Sequence, residues 1–292
     1  MKAWVTLLSN RAYLHGVVAL KNSIVSTRSK YPLVVMVTPD LDSLSRRLLM
    51  SNGCIVHEVD PVLAPPDLST SYASPQFSEV WTKLQAWSLQ HYDQIVLLDA
   101  DMVLIQNMDE LLEIDLPKGH IAACHACLCN PHKRENYPED WVPERCHYSC
   151  CDADACSYMQ VARSGDYFNS GLVVLRPDPE TFDLLSRRVD SLDAEDRFPF
   201  PDQDLLNEQF RGKWITLPYI YNALKTMSIF HKSIWEIGSV KNIHFIMDKP
   251  WQRDVEPYRN INSHWWAAYC QARDSQPQGG ETYVHAGAKG DS

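Results

Sequence analysis

Two carboxylates close an apolar run in Ile95-Val96-Leu97-Leu98-Asp99-Ala100-Asp101. The run reads as a buried central strand, and in open α/β sheets ligands bind beyond the carboxyl ends of strands. Residues at i and i+2 of an extended segment point the same way, so Asp99 and Asp101 can converge on one ion. Paired hard oxygen donors suit Mg²⁺ or Mn²⁺, which complete their shells with waters and substrate phosphates. A solvated turn after a strand is the plainer reading of the same residues.

A second chemistry uses this spacing: phosphatases of the haloacid-dehalogenase type carry Asp-x-Asp-x-Thr after a strand, the first carboxylate being the nucleophile. Val103 stands where that threonine belongs, which counts against it.

Holding such a pair requires strands and helices around it. Val5-Thr6-Leu7-Leu8 is a short strand; Asn10 is a candidate N-cap, and Tyr13, Val17, Leu20 and Ile24 follow at helical spacing. Leu33 to Val37 reads as a strand between Pro32 and Pro39, residues 41–51 as a helix stopped by Gly53, and Cys54-Ile55-Val56 as a further strand. A helix is expected around Glu79 to His91, carrying Val80, Leu84 and Trp87, before the run ending at Asp99. Further on, Leu172 to Leu175 is a strand, residues 180–192 a helix, Asp202 to Phe210 a short helix and Asn242 to Phe245 a late strand. Strands alternating with helices imply an α/β chain with a parallel sheet covered on both faces. Residues 61–78, rich in proline, and a cysteine-rich stretch at about 124–166 read as excursions over the surface. The expected organisation is one domain over residues 1–270 and a polar, Gly-containing, mobile tail over 271–292.

Composition narrows the function. The 292 residues carry 27 Lys and Arg against 37 Asp and Glu, a net charge of −10, which disfavours nucleic acid as a partner. No apolar stretch has the length of a membrane helix and the N-terminus lacks a signal-peptide core, so a cytoplasmic protein without a membrane partner is expected. Nine cysteines, an odd number in a chain of this size, fit reduced thiols. Seven of them, Cys124, Cys127, Cys129, Cys146, Cys150, Cys151 and Cys156, crowd into the second excursion.

Five motifs occur in order: Thr82 to Leu89; Asp99-Ala100-Asp101; Tyr167-Phe168-Asn169-Ser170-Gly171-Leu172; Asp202-Gln203-Asp204-Leu205-Leu206-Asn207; and His244-Phe245 ahead of Lys249-Pro250-Trp251. Together, over roughly residues 3–270, they resemble the retaining glycosyltransferases of family 8. The resemblance implies a GT-A fold, with a Rossmann-like, mostly parallel central sheet flanked by helices, and transfer of a hexose, galactose or glucose, from a UDP-sugar with Mn²⁺ or Mg²⁺. It also implies that Asp99, Asp101 and His244 hold the metal and that Ala100 lies in the donor site between the two carboxylates. Lys249 would neutralise charge developing on UDP. Leu7, Ser9, Asn10 and Tyr13 fall where the family binds uridine, Lys83 near the donor phosphate and sugar, and Asn169, Ser170, Asp202 and Gln203 at the donor sugar. Asp202 is the only motif carboxylate that could act as a nucleophile, and a front-face mechanism is preferred because none is clearly positioned for that role. Lys83, Asp202 and Lys249 are thus the expected catalytic residues.

Within the family the chain looks most like glycogenin and galactinol synthase. Glycogenin glucosylates its own tyrosine, and in the similar stretch Tyr221 to Phe230 a phenylalanine, Phe230, takes that place. The segment between His244 and Lys249 is also one residue shorter than in glycogenin. The stretch from Cys124 and the Trp265-Trp266-Ala267-Ala268-Tyr269 segment are similar to galactinol synthase, which points to a small polyol or sugar acceptor, myo-inositol leading. Trp265, Trp266 and Tyr269 also fit one packed face of a C-terminal helix. The insert leaves two readings open: structural Zn²⁺ bound by the Cys124-x-x-Cys127 pair with later cysteines and His147, or buried free thiols. A homodimer is in keeping with the family. The reading from another class is a catalytically silent UDP-sugar or zinc-binding module, against which the complete set of motif residues counts.

Overall fold

The structure, a computed structural model, describes residues 1–65, 72–73, 75–150, 159–162, 166–193, 195–252 and 256–275. In chain order the strands are β1 (Lys2–Leu8), β2 (Leu33–Val37), β3 (Ile55–Glu58), β4 (Gln94–Leu98), β5 (Met102–Leu104), β6 (Ile121–His125), β7 (Gln160–Val161), β8 (Phe168–Leu175), β9 (Trp214–Leu217), β10 (Ala223–Leu224) and β11 (Asn242–His244). The α-helices are α1 (Leu14–Ser26), α2 (Ser43–Ser51), α3 (His147–Cys150), α4 (Pro179–Asp190), α5 (Pro201–Gln209), α6 (Met227–Phe230) and α7 (Arg259–Ser275).

Eight strands form one sheet in the order β3-β2-β1-β4-β8-β6-β9-β7, and β10-β11-β5 form a small second sheet. In the large sheet β8 runs antiparallel to both its neighbours, β4 and β6, and β7 antiparallel to β9; the other pairs are parallel. β2 and β4 are buried at every position, as β-branched and aliphatic runs covered on both faces must be. Alternate residues feed two cores: Ala3, Val5, Ile95 and Leu97 pack on one face, Trp4, Leu8, Val96 and Leu98 on the other. A third core joins the small sheet, the cysteine-rich insert and α7.

Local signals account for the helix starts. The carboxylates of Asp42 and Asp178 accept the Ser45 and Thr181 amides at 2.9 Å, capping α2 and α4. Asn10 caps a short 3₁₀ turn, Arg11–Tyr13, that precedes α1. Asp202 is not a cap: α5 starts at Pro201, after Phe200.

The helix expected around Glu79 to His91 is instead a run of 3₁₀ turns, Pro75–Ser88. The chain is buried at most positions from Trp81 to Leu89, Trp81, Leu84 and Trp87 included. α7 continues to Ser275, into the stretch expected to begin a tail; residues 276–292 lie outside the described residues. On α7, Trp265 is fully buried, stacked on Tyr269 at 4.9 Å and packed edge-on against Trp266, which is partly exposed.

Candidate functional site

The topology brings the chemistry to one edge. β1 and β4 are parallel and end at one edge of the sheet, β1 running two residues beyond Leu98, while antiparallel β8 begins at the same edge, so Asn169, Ser170 and Gly171 face the end of β4. The Asp99 amide donates to the Gly171 carbonyl at 2.8 Å. Asp99, Ala100 and Asp101 then turn the chain into β5. Gly16 of α1 makes this turn possible: a Cβ there would lie 2.3 Å from the Ala100 carbonyl oxygen. β11 lies antiparallel to β5 with His244 opposite Met102, and the Phe245 amide donates to the Asp101 carbonyl at 2.9 Å. A residue some 140 positions away thereby stands beside the two carboxylates.

His244 Nε2 is 3.2 Å from Asp101 Oδ1 and 3.6 Å from Asp99 Oδ2, and one donor atom from each residue lies within 4.8 Å of the others. Two carboxylates and an imidazole are a fitting donor set for a divalent cation such as Mn²⁺. The ring's other nitrogen settles which tautomer is present. Asn222 Nδ2 donates to Asn169 Oδ1 at 2.8 Å, so its Oδ1 is the atom 2.9 Å from His244 Nδ1 and must accept a proton from it. Nε2 is left with its lone pair aimed at the carboxylates, as a metal ligand requires.

Two ammonium groups flank the cluster. Lys83 Nζ is 2.6 Å from Asp99 Oδ1 and 3.0 Å from Asp202 Oδ2. Lys249 Nζ donates to Asp101 Oδ2 and, at 3.1 Å, to the Phe245 carbonyl. Burial works against the charge of both lysines, but the carboxylates of Asp202 and Asp99 more than offset it at Lys83, as Asp101 chiefly does at Lys249, and both are held above the usual lysine range. Burial likewise opposes ionisation of Asp101, and the Lys249 ammonium beside it holds the carboxyl well below its ordinary value. Three carboxylates against two ammonium groups leave one net negative charge, which a divalent cation would reverse in favour of a diphosphate.

Ser170 Oγ donates to Asp202 Oδ2 at 2.9 Å, and Gln203 Oε1 accepts from Asn169 Nδ2 at 2.8 Å and from the Ser170 amide at 3.1 Å. Gln203 Nε2 donates to the Tyr167 hydroxyl at 3.1 Å, and Tyr167 in turn donates to Asp204. A single hydrogen-bonded chain thus runs from His244 through Asn222, Asn169, Gln203 and Tyr167 to Asp204.

Asp204 also accepts the Phe200 amide at 2.7 Å, yet burial pushes its carboxyl up from 3.8 to about 6. The folded chain therefore keeps this proton across a window in which the unfolded chain has released it. Its contribution to stability is complete below about pH 4 and is lost as pH rises through about 6. Urea unfolding of Asp204→Asn between pH 4 and 6 should show a shallower loss of stability with rising pH than the parent; equal slopes would mean that Asp204 does not titrate there.

The expected uridine residues lie along the same edge. Ser9 Oγ donates to Glu79 at 2.8 Å, Asn10 Oδ1 accepts the Ala12 amide at 2.9 Å, and Leu7 is partly exposed at the end of β1. Tyr13 packs edge-on against Trp251 with 5.8 Å between ring centroids, and Lys249 Nζ stands 5.9 Å from the centre of the Tyr13 ring. Trp251 Nε1 donates to the Ala12 carbonyl at 3.0 Å, tying the segment after Lys249 to the start of α1.

Sequence reasoning passed over Asn222, Tyr167, Asp204 and Lys225 as parts of the site. Lys225 is buried and donates to the Asp248 carbonyl, pinning the segment that carries Lys249. In the insert, two expected zinc ligands stand elsewhere. Cys124 Sγ donates to the Pro218 carbonyl at 3.2 Å, and His147 stacks on His125 at 3.7 Å. Cys151 and Cys156, and the side chain of Cys150, lie outside the described residues.

The ligand edge of the α/β sheet thus gathers two aspartates and a histidine that could hold a divalent cation, with two lysines beside them. The sequence profile of Glycosyl transferase family 8 matches residues 4–255, and the chain belongs to that family. It is 31% identical to galactinol synthase 1 of Arabidopsis thaliana over 92% of this chain and 78% of that protein. With galactinol synthase 2 of Solanum lycopersicum it shares 31% identity over 92% of this chain and 80% of that one. Among solved structures it is similar in fold to the galactosyltransferase LgtC, with a TM-score of 0.62 at 16% identity over 91% of this chain and 96% of LgtC. The glycosyltransferase GlyE of Streptococcus pneumoniae gives a TM-score of 0.61 at 17% identity, and this chain covers 61% of that longer one. The fold is GT-A and the protein is a glycosyltransferase that uses a UDP-sugar. No helix among the described residues is long and apolar enough to cross a membrane.

Proposed function

We propose that the chain transfers a hexose, with retention, from a UDP-sugar to myo-inositol, using a divalent cation held by Asp99, Asp101 and His244. The observation that carries this reading is that donor set, flanked by the buried Lys249 and the half-buried Lys83, in a chain similar to galactinol synthases over 92% of its length. Mn²⁺ or Mg²⁺, when bound, supplies Lewis acidity toward the phosphates of the departing UDP.

The chain's own groups do the rest. Lys249 donates to the diphosphate as its charge grows, and the Tyr13 and Trp251 rings beside it, with Leu7, Ser9 and Asn10, form the wall for uridine. Lys83 orients the donor phosphate and sugar. Asn169, Ser170, Asp202 and Gln203 present donors and acceptors to sugar hydroxyls, and their mutual hydrogen bonds fix them before the donor arrives. Asp202 already accepts from Lys83 and Ser170, which makes its carboxylate a weak nucleophile and supports a front-face path. In that path the C1–O bond to diphosphate breaks first. The acceptor hydroxyl then bonds to C1 on the same face and passes its proton to the released diphosphate oxygen.

The Asn222 hydrogen bond supports a metal-ligating role for His244. Asn222→Ala should weaken Mn²⁺ activation about 10- to 100-fold, with activity largely recovered at saturating Mn²⁺, because the ligand loses its orienting partner and not its donor atom. An unchanged Mn²⁺ requirement would remove His244 from the ligand set.

The test of the reading is proton NMR of the product formed from UDP-galactose and myo-inositol with Mn²⁺. A hexosyl-inositol with the donor's anomeric configuration is expected. An inverted anomer would refute the front-face path. A rise in the protein's intact mass after incubation with UDP-glucose, without a soluble product, would favour a glycogenin-like self-transferase; Phe230, at the end of α6, has no hydroxyl to receive a sugar.

A further inference from the structure

Outside the transfer site, three thiols and an imidazole meet where distant segments cross. Cys127 and Cys129 follow β6, Cys146 immediately precedes α3, and His231 caps the C-terminus of α6. One ligand atom from each lies within 4.8 Å of the others. His231 Nε2 is 3.1 Å from Cys127 Sγ, 3.5 Å from Cys129 Sγ and 3.9 Å from Cys146 Sγ. A tetrahedral ion with Zn–S near 2.3 Å and Zn–N near 2.0 Å separates its sulfur and nitrogen ligands by about 3.5 Å, in the middle of these distances. None of the three cysteines is in a disulfide. Cys146 and His231 are buried. Ser149 Oγ stands 3.1 Å from Cys129 Sγ, an outer partner for that ligand. Among the described residues the cluster comprises four soft or borderline donors and no carboxylate, the set of a closed structural zinc site.

We propose that Cys127, Cys129, Cys146 and His231 bind a structural Zn²⁺ that clamps the cysteine-rich insert to the segment leading into the transfer site. The cross-link joins residues about a hundred positions apart in the chain. On one side it holds the loop of Tyr137 and Trp141, of which Trp141 stacks on Phe200 at 4.7 Å and packs edge-on against Tyr167 at 5.8 Å, next to Asp202 and Gln203. On the other side His231 ends the stretch that begins at Asn222, the partner of His244. The ion therefore fixes a wall beside the sugar-binding residues without touching substrate. The zinc assignment itself does not rest on the sugar-transfer reading; the role of the wall does.

The experiment is metal analysis of the full-length protein, purified reduced and without chelators. About one zinc per chain is expected, retained in Cys270→Ser and lost in both Cys146→Ser and His231→Ala. Those two variants could fail to fold, so the parent is also examined with Co²⁺ in place of zinc. A thiolate-to-cobalt charge-transfer band in the near ultraviolet is expected, and the oxygen- and nitrogen-donor site at Asp99, Asp101 and His244 cannot produce it. Zinc-free protein without that band would overturn the proposal. So would an intact mass showing loss of two hydrogens, with a disulfide mapped within the cluster.

Discussion

Asp101→Asn is expected to lower hexose transfer by at least about 10²-fold, the scale on which loss of one charge-stabilising group in a dry site is felt. Asparagine keeps the shape of the side chain and removes its charge, so the effect is electrostatic before it is structural. Two losses combine. The cation site gives up one of its two carboxylates, and Lys249, buried beside it, loses its counter-charge and is left with uncharged partners such as the Phe245 carbonyl at 3.1 Å. An ammonium without its counter-charge is costly to hold, and a cation with one carboxylate fewer binds weakly. UDP affinity measured by calorimetry should therefore lose most of its dependence on Mn²⁺. If the variant still binds UDP more tightly with Mn²⁺, to the same degree as the parent, Asp101 is not a ligand.

Gly171→Ala, the addition of one methyl group, is expected to cost about as much, although Gly171 carries no side chain to do chemistry. A Cβ there would lie 2.4 Å from His244 Cε1 and 2.9 Å from both His244 Nδ1 and Asn169 Oδ1. The Gly171 carbonyl is held by the Asp99 amide at 2.8 Å and the next residue, Leu172, pairs with Leu98 of β4, which restrains the backbone from retreating. The ring must move instead, breaking the Asn222 hydrogen bond and pulling Nε2 away from the carboxylates. A displacement near 1 Å at a reacting site costs on the order of 10²-fold, and overpacking of this kind destabilises by about 1–3 kcal/mol. Thermal melting and initial rates separate the two effects: a small fall in melting temperature with a large fall in rate is expected. A parental rate in Gly171→Ala would mean that the position of His244 does not matter to transfer.

The carboxylates were legible in the sequence because the information is local: four apolar residues ending in Asp-x-Asp define a strand end and its ligand face. His244 and Lys249 carry no such signal alone; they are placed by β11 pairing with β5, a contact of high sequence separation that only the ordered motifs anticipated. The direction of β8 was hidden, since Leu172 to Leu175 reads the same running either way, and yet it is this reversal that puts Asn169 and Ser170 at the ligand edge. The 3₁₀ geometry of residues 75–88 was not readable, because the spacing of Trp81, Leu84 and Trp87 suits an α-helix as well. The amide chain through Asn222, Asn169 and Gln203 was not readable, because side-chain amides have no periodicity and acquire a role only from their partners. In the insert, Cys124-x-x-Cys127 had the spacing that draws attention, but β6 turns Cys124 inward to the Pro218 carbonyl and leaves Cys127-x-Cys129 to face His231.

The most direct test of the site is the initial rate of UDP release from UDP-galactose with Mn²⁺, with and without myo-inositol, the product being identified by mass spectrometry. The site described here predicts that myo-inositol stimulates release and that a hexosyl-inositol accumulates in step with UDP. Release indifferent to myo-inositol, with no such product, would contradict it.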